Sequence, residues 1–205
     1  PLRDSLHRRA GVLLHYLNNA HRSAVWKLEG LSEYDVRRPL TPTGTNLLGV
    51  VKHLAMVELG YFGEVFQRSP EVTVGWWAEE QQNFEVPNID MFASAEQTRD
   101  EVLRLYDEAG RNTAATLAAL DLDSPGRVPW WGDRGAVTLQ RILVHMIDET
   151  ARHTGQLDIL REQLDGAAGA RPESDNLAEL TGDEWVTYTA QLQQIAEQFR
   201  TPDPA

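Results

Sequence analysis

The sequence predicts an all-α fold: an antiparallel four-helix bundle with long crossover loops and an additional C-terminal helix. Apolar residues recur at three- and four-residue steps in several long stretches, and no stretch alternates convincingly as a strand would. Capping residues or glycines stand at most of the ends of these stretches. The connections between the four main stretches run roughly 15 to 27 residues, long enough for crossovers.

The first helix is expected over residues 3–29. Leu6, Ala10, Leu13, Leu17, Ala24 and Leu28 form its stripe, and Gly30 follows. Its histidines His7, His15 and His21 do not share one face. His21 lies near the stripe, where it either makes a core hydrogen bond or reaches a central cavity. Residues 30–45 read as a linker, closed by the turn-rich Thr41-Pro42-Thr43-Gly44-Thr45. Thr45 is the expected cap of a second helix over 46–67, apolar almost all round and hence the most buried. Residues 68–93 carry no period; Trp76, Trp77, Phe84 and Phe92 are expected to pack over a helix end.

Ser94 with Gln97 has the form of a capping box opening a third helix over 95–120, with Val102, Leu103, Tyr106, Ala109, Leu117 and Leu120 inward. The segment 121–136, rich in Asp, Gly and Pro, contains Trp130 and Trp131 in the run PWWG. A tryptophan pair in a loop lids a core or walls a pocket. The fourth helix is expected over 138–165, between the cap Thr138 and Gly166, with Leu139, Ile142, Met146, Leu157, Leu160 and Leu164 on its stripe. Thr181 and Glu184 form a second capping box, opening a last helix near 182–200. This gives a bundle over 1–166 and an extension over 167–205 whose helix packs on the bundle or serves as an interface, a homodimer being the expected assembly in the second case.

Composition excludes several functions. The 205 residues can bury a sizeable core, and 41% hydrophobic with 24% charged residues is the balance of a soluble globular protein. A net charge of −12 opposes the phosphate backbone, so no nucleic-acid partner is expected. With no cysteine there is no disulfide framework, no thiolate zinc site and no cysteine nucleophile. No apolar run approaches a membrane span and no signal-peptide core is visible, so a cytoplasmic location is expected.

Two residues on the stripe of the fourth helix are wrong for a core. Glu149 and His153 stand four apart on one face, and an unpartnered buried carboxylate costs several kcal/mol. Such a pair can hold one cation between adjacent turns, although a buried Glu–His hydrogen bond explains it equally well. On the second helix His53 is flanked by Gly49, Val50, Met56 and Val57, company in which an imidazole needs a partner. Taken with Glu149 and His153, ligation of a divalent metal is the better reading. His145, one turn before Glu149, replaces His153 in a shifted set or lines the pocket. Gln156 and Arg152 flank His153 and are candidates for orienting it or the substrate.

The pieces LLGVVKHLAMVE (47–58), HMIDETARHTGQLDILREQLDG (145–166) and PWWG (129–132) resemble the DinB superfamily of metal-binding four-helix bundles. They are most similar to its actinobacterial branch, which includes the N-terminal domain of mycothiol-dependent maleylpyruvate isomerase. The resemblance implies that one residue of the second helix and two of the fourth, four apart, bind a divalent metal: here His53, Glu149 and His153. Many members carry His at both later positions, whereas the isomerase branch has Glu and then His, as here. About 40 residues follow the bundle, too few for the isomerase's second domain, so isomerase activity itself is not implied.

Two imidazoles and a carboxylate suit zinc, and also nickel or iron, and leave a position open as catalytic sites do. The resemblance implies a low-molecular-weight thiol such as mycothiol, activated as thiolate for transfer to a small electrophile. Trp130, Trp131 and the first-helix face around His21 are the candidate walls of the substrate pocket. A metal-dependent hydrolase of a small ester, amide or lactone remains open, as does a non-catalytic bundle that binds metal or small ligands.

Overall fold

The chain is all-α in its computed structural model, which describes the backbone of residues 2–82 and 85–200 and the side chains of these from Arg9 onward. Leu6 and His7, as side chains, and Phe84 lie outside the described residues. The helices are α1 (Leu2–Trp26), α2 (Glu33–Arg37), α3 (Leu47–Phe62), α4 (Trp77–Glu80), α5 (Arg99–Ala119), α6 (Leu139–Asp165) and α7 (Gly182–Glu197). A short antiparallel ladder joins β1 (Pro125–Arg127) to β2 (Ala136–Thr138), a small departure from the strand-free expectation. The connection between them bends at Gly132, whose φ of 57° suits glycine.

The chain divides into two compact units, Pro1–Asp175 and Asn176–Ala205. In the first, α1, α3, α5 and α6 form a helical bundle in which α3 packs on α5 and α6, and α1 on α6 and α5. The core has two halves. Ala24 of α1 and Leu28 just past its end meet Leu47, Leu48, Val50, Val51 and Leu54 of α3, Val102, Leu105 and Tyr106 of α5, and Leu157 and Leu160 of α6. At the other half Leu17 meets Tyr61 and Phe62 of α3 and Ile142, Leu143 and Met146 of α6, with Leu117 and Leu120 alongside. Hence α1 and α6 run one way and α3 and α5 the other.

Because α3 and α5 run in the same direction, residues 63–98 must travel back along the bundle before α5 can start. This crossover is pinned by one buried lysine. Lys52 Nζ donates to the carbonyls of Ile89 and Phe92 (2.8 Å each), to Gln97 Oε1 (3.0 Å) and to Glu80 Oε1 (2.9 Å). Burial holds the Lys52 ammonium below its ordinary range, the neighbouring Glu80 opposing this. The 3-10 turn Ile89–Met91 lies so close to α3 that a Cβ on Gly49 would sit 1.8 Å from the Met91 carbonyl oxygen.

Several helix ends differ from expectation by local chemistry. Asn46, not Thr45, caps α3: its side chain accepts from Gly49 N while Thr45 N donates to Thr41 Oγ1 (3.0 Å). Helix α3 stops at Phe62 rather than 67, where Gly63 breaks the backbone and a 3-10 turn follows. For α5 the capping box is Thr98 with Glu101, not Ser94 with Gln97. The Gln97 side chain does accept from Ser94 N (3.0 Å), but it also receives Lys52, and Ser94 Oγ turns to Glu96. The 30–45 linker contains the short α2, and α1 ends at Trp26. Thr138 and Gly166 bound α6 as expected, Gly166 being left-handed at φ 80°.

Past Gly166 the chain stays tied to the first unit. Ser23 Oγ and Lys27 Nζ donate to the carbonyls of Ala170 and Gly169 (2.5 and 2.6 Å). Residues 167–175 therefore group with the bundle rather than with the extension. In the second unit α7 opens on the expected Thr181–Glu184 capping box, and the rings of Trp185 and Tyr188 meet edge-on with centroids 5.7 Å apart.

Candidate metal centre

Helices α3 and α6 run antiparallel, which brings the middle of one against the middle of the other. There His53, Glu149 and His153 each offer a donor atom, and these atoms lie within 4.8 Å of one another. Nε2 of His53 is 3.4 Å from Glu149 Oε1, and Nε2 of His153 is 3.1 Å from the same oxygen. The two imidazole centroids are 4.8 Å apart. All three side chains are partly buried, at 15%, 25% and 13% exposed, so the cluster opens to solvent on one side.

The far nitrogens of both imidazoles are already engaged. His53 Nδ1 pairs with Asp90 Oδ2 at 2.7 Å, and His153 Nδ1 with Gln156 Oε1 at 2.9 Å. Both partners are acceptors, so each Nδ1 carries a proton and a neutral ring turns an Nε2 lone pair inward. Two such lone pairs and a carboxylate oxygen then converge with no hydrogen to share. A cation or an added proton has to stand among them, and the donor set of two nitrogens and one oxygen suits zinc and similar divalent ions.

The electrostatics agree. Burial works against a charged His53, but Asp90 and Glu149 outweigh it and raise the pKa of the ring. Burial likewise opposes ionisation of Glu149, yet the neighbouring His153 and His53 hold its carboxyl below the usual range. Asp90 is held down first by its hydrogen bond to His53. The cluster is thus poised to carry positive charge at its centre.

Asp90 joins the site from another element. It lies 37 residues from His53 in the 3-10 turn that Lys52 pins, and no local pattern marks it. Gln156, named from its place beside His153, is its direct partner. Arg152 and Gln156 also line a groove of about 510 Å³ with Thr41, Thr45 and Ile159, next to the cluster. His145 is not among the converging donors. It stands one turn before Glu149, its ring edge-on to Tyr61 (4.9 Å) and Trp131 (5.0 Å). Trp130 is half exposed, tilted against Tyr61 with centroids 5.3 Å apart. His21 stands apart from the converging donors: it makes a core hydrogen bond to Glu58 and lies over Tyr106.

A family model described as mycothiol S-transferase matches residues 12–166, from the third turn of α1 to the glycine that ends α6. The chain belongs to the mycothiol S-transferase family. The match contains all three converging donors, Asp90, Trp130 and Trp131, and the family groups with the DinB superfamily that the three sequence pieces resemble. No curated protein matches the chain. Among the described residues no helix is long and apolar enough to cross a membrane.

Proposed function

We propose that this member of the mycothiol S-transferase family joins a mycothiol-type thiol to a small electrophile, using a divalent metal, zinc in the first instance, held by His53, Glu149 and His153. The observation that carries the reading is the convergence of two Nε2 lone pairs and one carboxylate oxygen whose outer nitrogens are already committed to Asp90 and Gln156. A divalent cation among these donors lowers the pKa of a thiol and so favours the ionised nucleophile.

The chain's own residues do the rest. Asp90 and Gln156 hold the two rings in one tautomer and one orientation. The groove beside His153, with Arg152 and the hydroxyls of Thr41 and Thr45, offers polar contacts to the body of the thiol. The wall of Tyr61, His145, Trp130 and Trp131, one turn along α6 from Glu149, offers flat apolar surface to the acceptor. With no cysteine in the chain, the sulfur must come from the co-substrate. The thiol proton passes to solvent, the thiolate pair forms a carbon–sulfur bond, and the bond from that carbon to the electrophile's leaving group breaks, the group departing with the bonding pair and taking up a proton from solvent where it needs one.

The test offers the zinc-loaded protein a panel of electrophiles with and without mycothiol, glutathione or bacillithiol, beside simple esters and lactones. Turnover that requires a thiol and is lost in Glu149→Ala supports the transferase. Hydrolysis without any thiol, lost in the same variant, replaces it with the hydrolase reading. A filled metal site with neither activity leaves a metal-binding bundle.

A further inference from the structure

Five residues beyond His53, and so about 140° further round α3, stands Glu58, whose side chain is only 1% exposed. Burial of a carboxylate is costly unless hydrogen bonds answer it, and an apolar replacement would serve packing as well or better. Here Thr113 Oγ1 donates to Glu58 Oε1 at 2.6 Å and His21 Nε2 meets Oε2. A carboxylate only accepts, so the proton between them lies on Nε2. In the neutral ring Nδ1 is then a bare acceptor, and it has no partner among the described residues.

The surroundings of that nitrogen are open. The Tyr106 ring covers one face of the imidazole, with centroids 3.8 Å apart. Opposite Nδ1 and Cε1 α5 carries Gly110, which brings no side chain to the spot. His21 and Tyr106 form the inner wall of a cavity of about 670 Å³ between α1, α5 and the segment around Pro172, with Val25, Trp26 and Leu103 as apolar walls. Its size and its make-up, apolar with a few fixed polar groups, are those of small-molecule sites. Charges of both signs line it, Arg22 and Arg171 against Glu29, Asp107 and Glu173, a near balance in which His21 rather than net charge sets the selection.

We propose that this cavity is a second binding site, distinct from the metal centre, for a small flat molecule bearing a hydroxyl or N–H group that donates to His21 Nδ1. Glu58 and Thr113 are positioning residues: they fix the tautomer that leaves this nitrogen free.

The experiment uses the full chain labelled with ¹⁵N, the probe p-cresol, and toluene as the same shape without the hydroxyl. The nitrogen resonances of His21 should show the Nε2–H tautomer. Addition of p-cresol should move Nδ1, and toluene should bind at least about tenfold more weakly. Because His21→Phe strands Glu58 and can prevent folding, the blocking variant is Leu103→Trp, which fills the cavity and leaves the dyad intact; it should lose the response, whereas Glu149→Ala should keep it. An Nδ1 resonance indifferent to p-cresol, equal binding of the two probes, a response that survives Leu103→Trp, or one lost in Glu149→Ala would each overturn the proposal.

Discussion

At the scale of single residues, Asp90 decides how well the proposed metal centre is preorganised. Its carboxylate holds the Nδ1 proton of His53 and thereby aims Nε2 at Glu149 and His153. Loss of such an outer partner typically costs tenfold to a hundredfold in metal affinity. Asp90→Ala should therefore weaken zinc binding by about 10- to 100-fold, measured by competition with a chromophoric chelator, while His53→Ala should weaken it more; an unchanged affinity would mean the imidazole is held by packing alone. Tyr106 gives the second prediction. Its hydroxyl is buried without a partner among the described residues, and burial, then the charge of Glu58, pushes its pKa well above the ordinary value. A raised folded pKa stabilises the protein below the unfolded value near about 10 and loses that contribution as pH rises further. Independently of that titration, Tyr106→Phe should gain about 1 kcal/mol at neutral pH, by removing an unsatisfied hydroxyl. It should also lose less stability than the parent above about pH 10, as urea unfolding at both pH values will show.

At the scale of elements, the crossover 63–98 governs the site although it donates nothing to the converging cluster itself. Gly49 lets the turn Ile89–Met91 lie on α3, where Lys52 and Asn46 hold its carbonyls and Asp90 faces His53. Gly49→Ala forces a methyl against the Met91 carbonyl and should cost about 1–3 kcal/mol, the range of overpacking. It should also weaken metal binding as Asp90→Ala does; melting and chelator competition measured together separate this from simple destabilisation, in which affinity of the folded fraction stays constant. This element also marks where sequence reading reached its limit. Glu149 and His153 were legible because a helix places residues four apart on one face, and His53 because an apolar helix leaves an imidazole conspicuous. The caps at Thr138, Gly166 and Thr181 were legible for the same local reason. Asp90 and the His21–Glu58 pairing were not, since each depends on tertiary packing between residues 37 apart. The Thr98 cap was hidden by a rival: Gln97 has a box-like partner in Ser94, but its side chain is drawn into the core by Lys52.

At the scale of the whole molecule, the three donors come from two helices that meet only when the bundle is folded. His53 on α3 is 96 residues from Glu149 on α6, so the unfolded chain offers at most the weak pair Glu149 and His153. A cation bound by the folded state and scarcely by the unfolded one adds RT ln(1 + [M]/Kd) to stability, about 2.7 kcal/mol at a free concentration a hundred times Kd. For a chain of this size that corresponds to a rise of roughly 5–10 °C in melting temperature. The increment should grow with the logarithm of free zinc, vanish on chelation, and be much reduced in His53→Ala and Glu149→Ala. The quantity to compare is the difference between zinc-loaded and chelated samples of each variant, not the absolute melting temperature. In the chelated state His53→Ala removes one of the rings that would otherwise have to share a proton with Glu149, so its own baseline can move in either direction. Equal melting temperatures for the loaded and chelated parent would show that the converging donors hold a proton rather than a metal, and would withdraw the metal-dependent transferase reading with it.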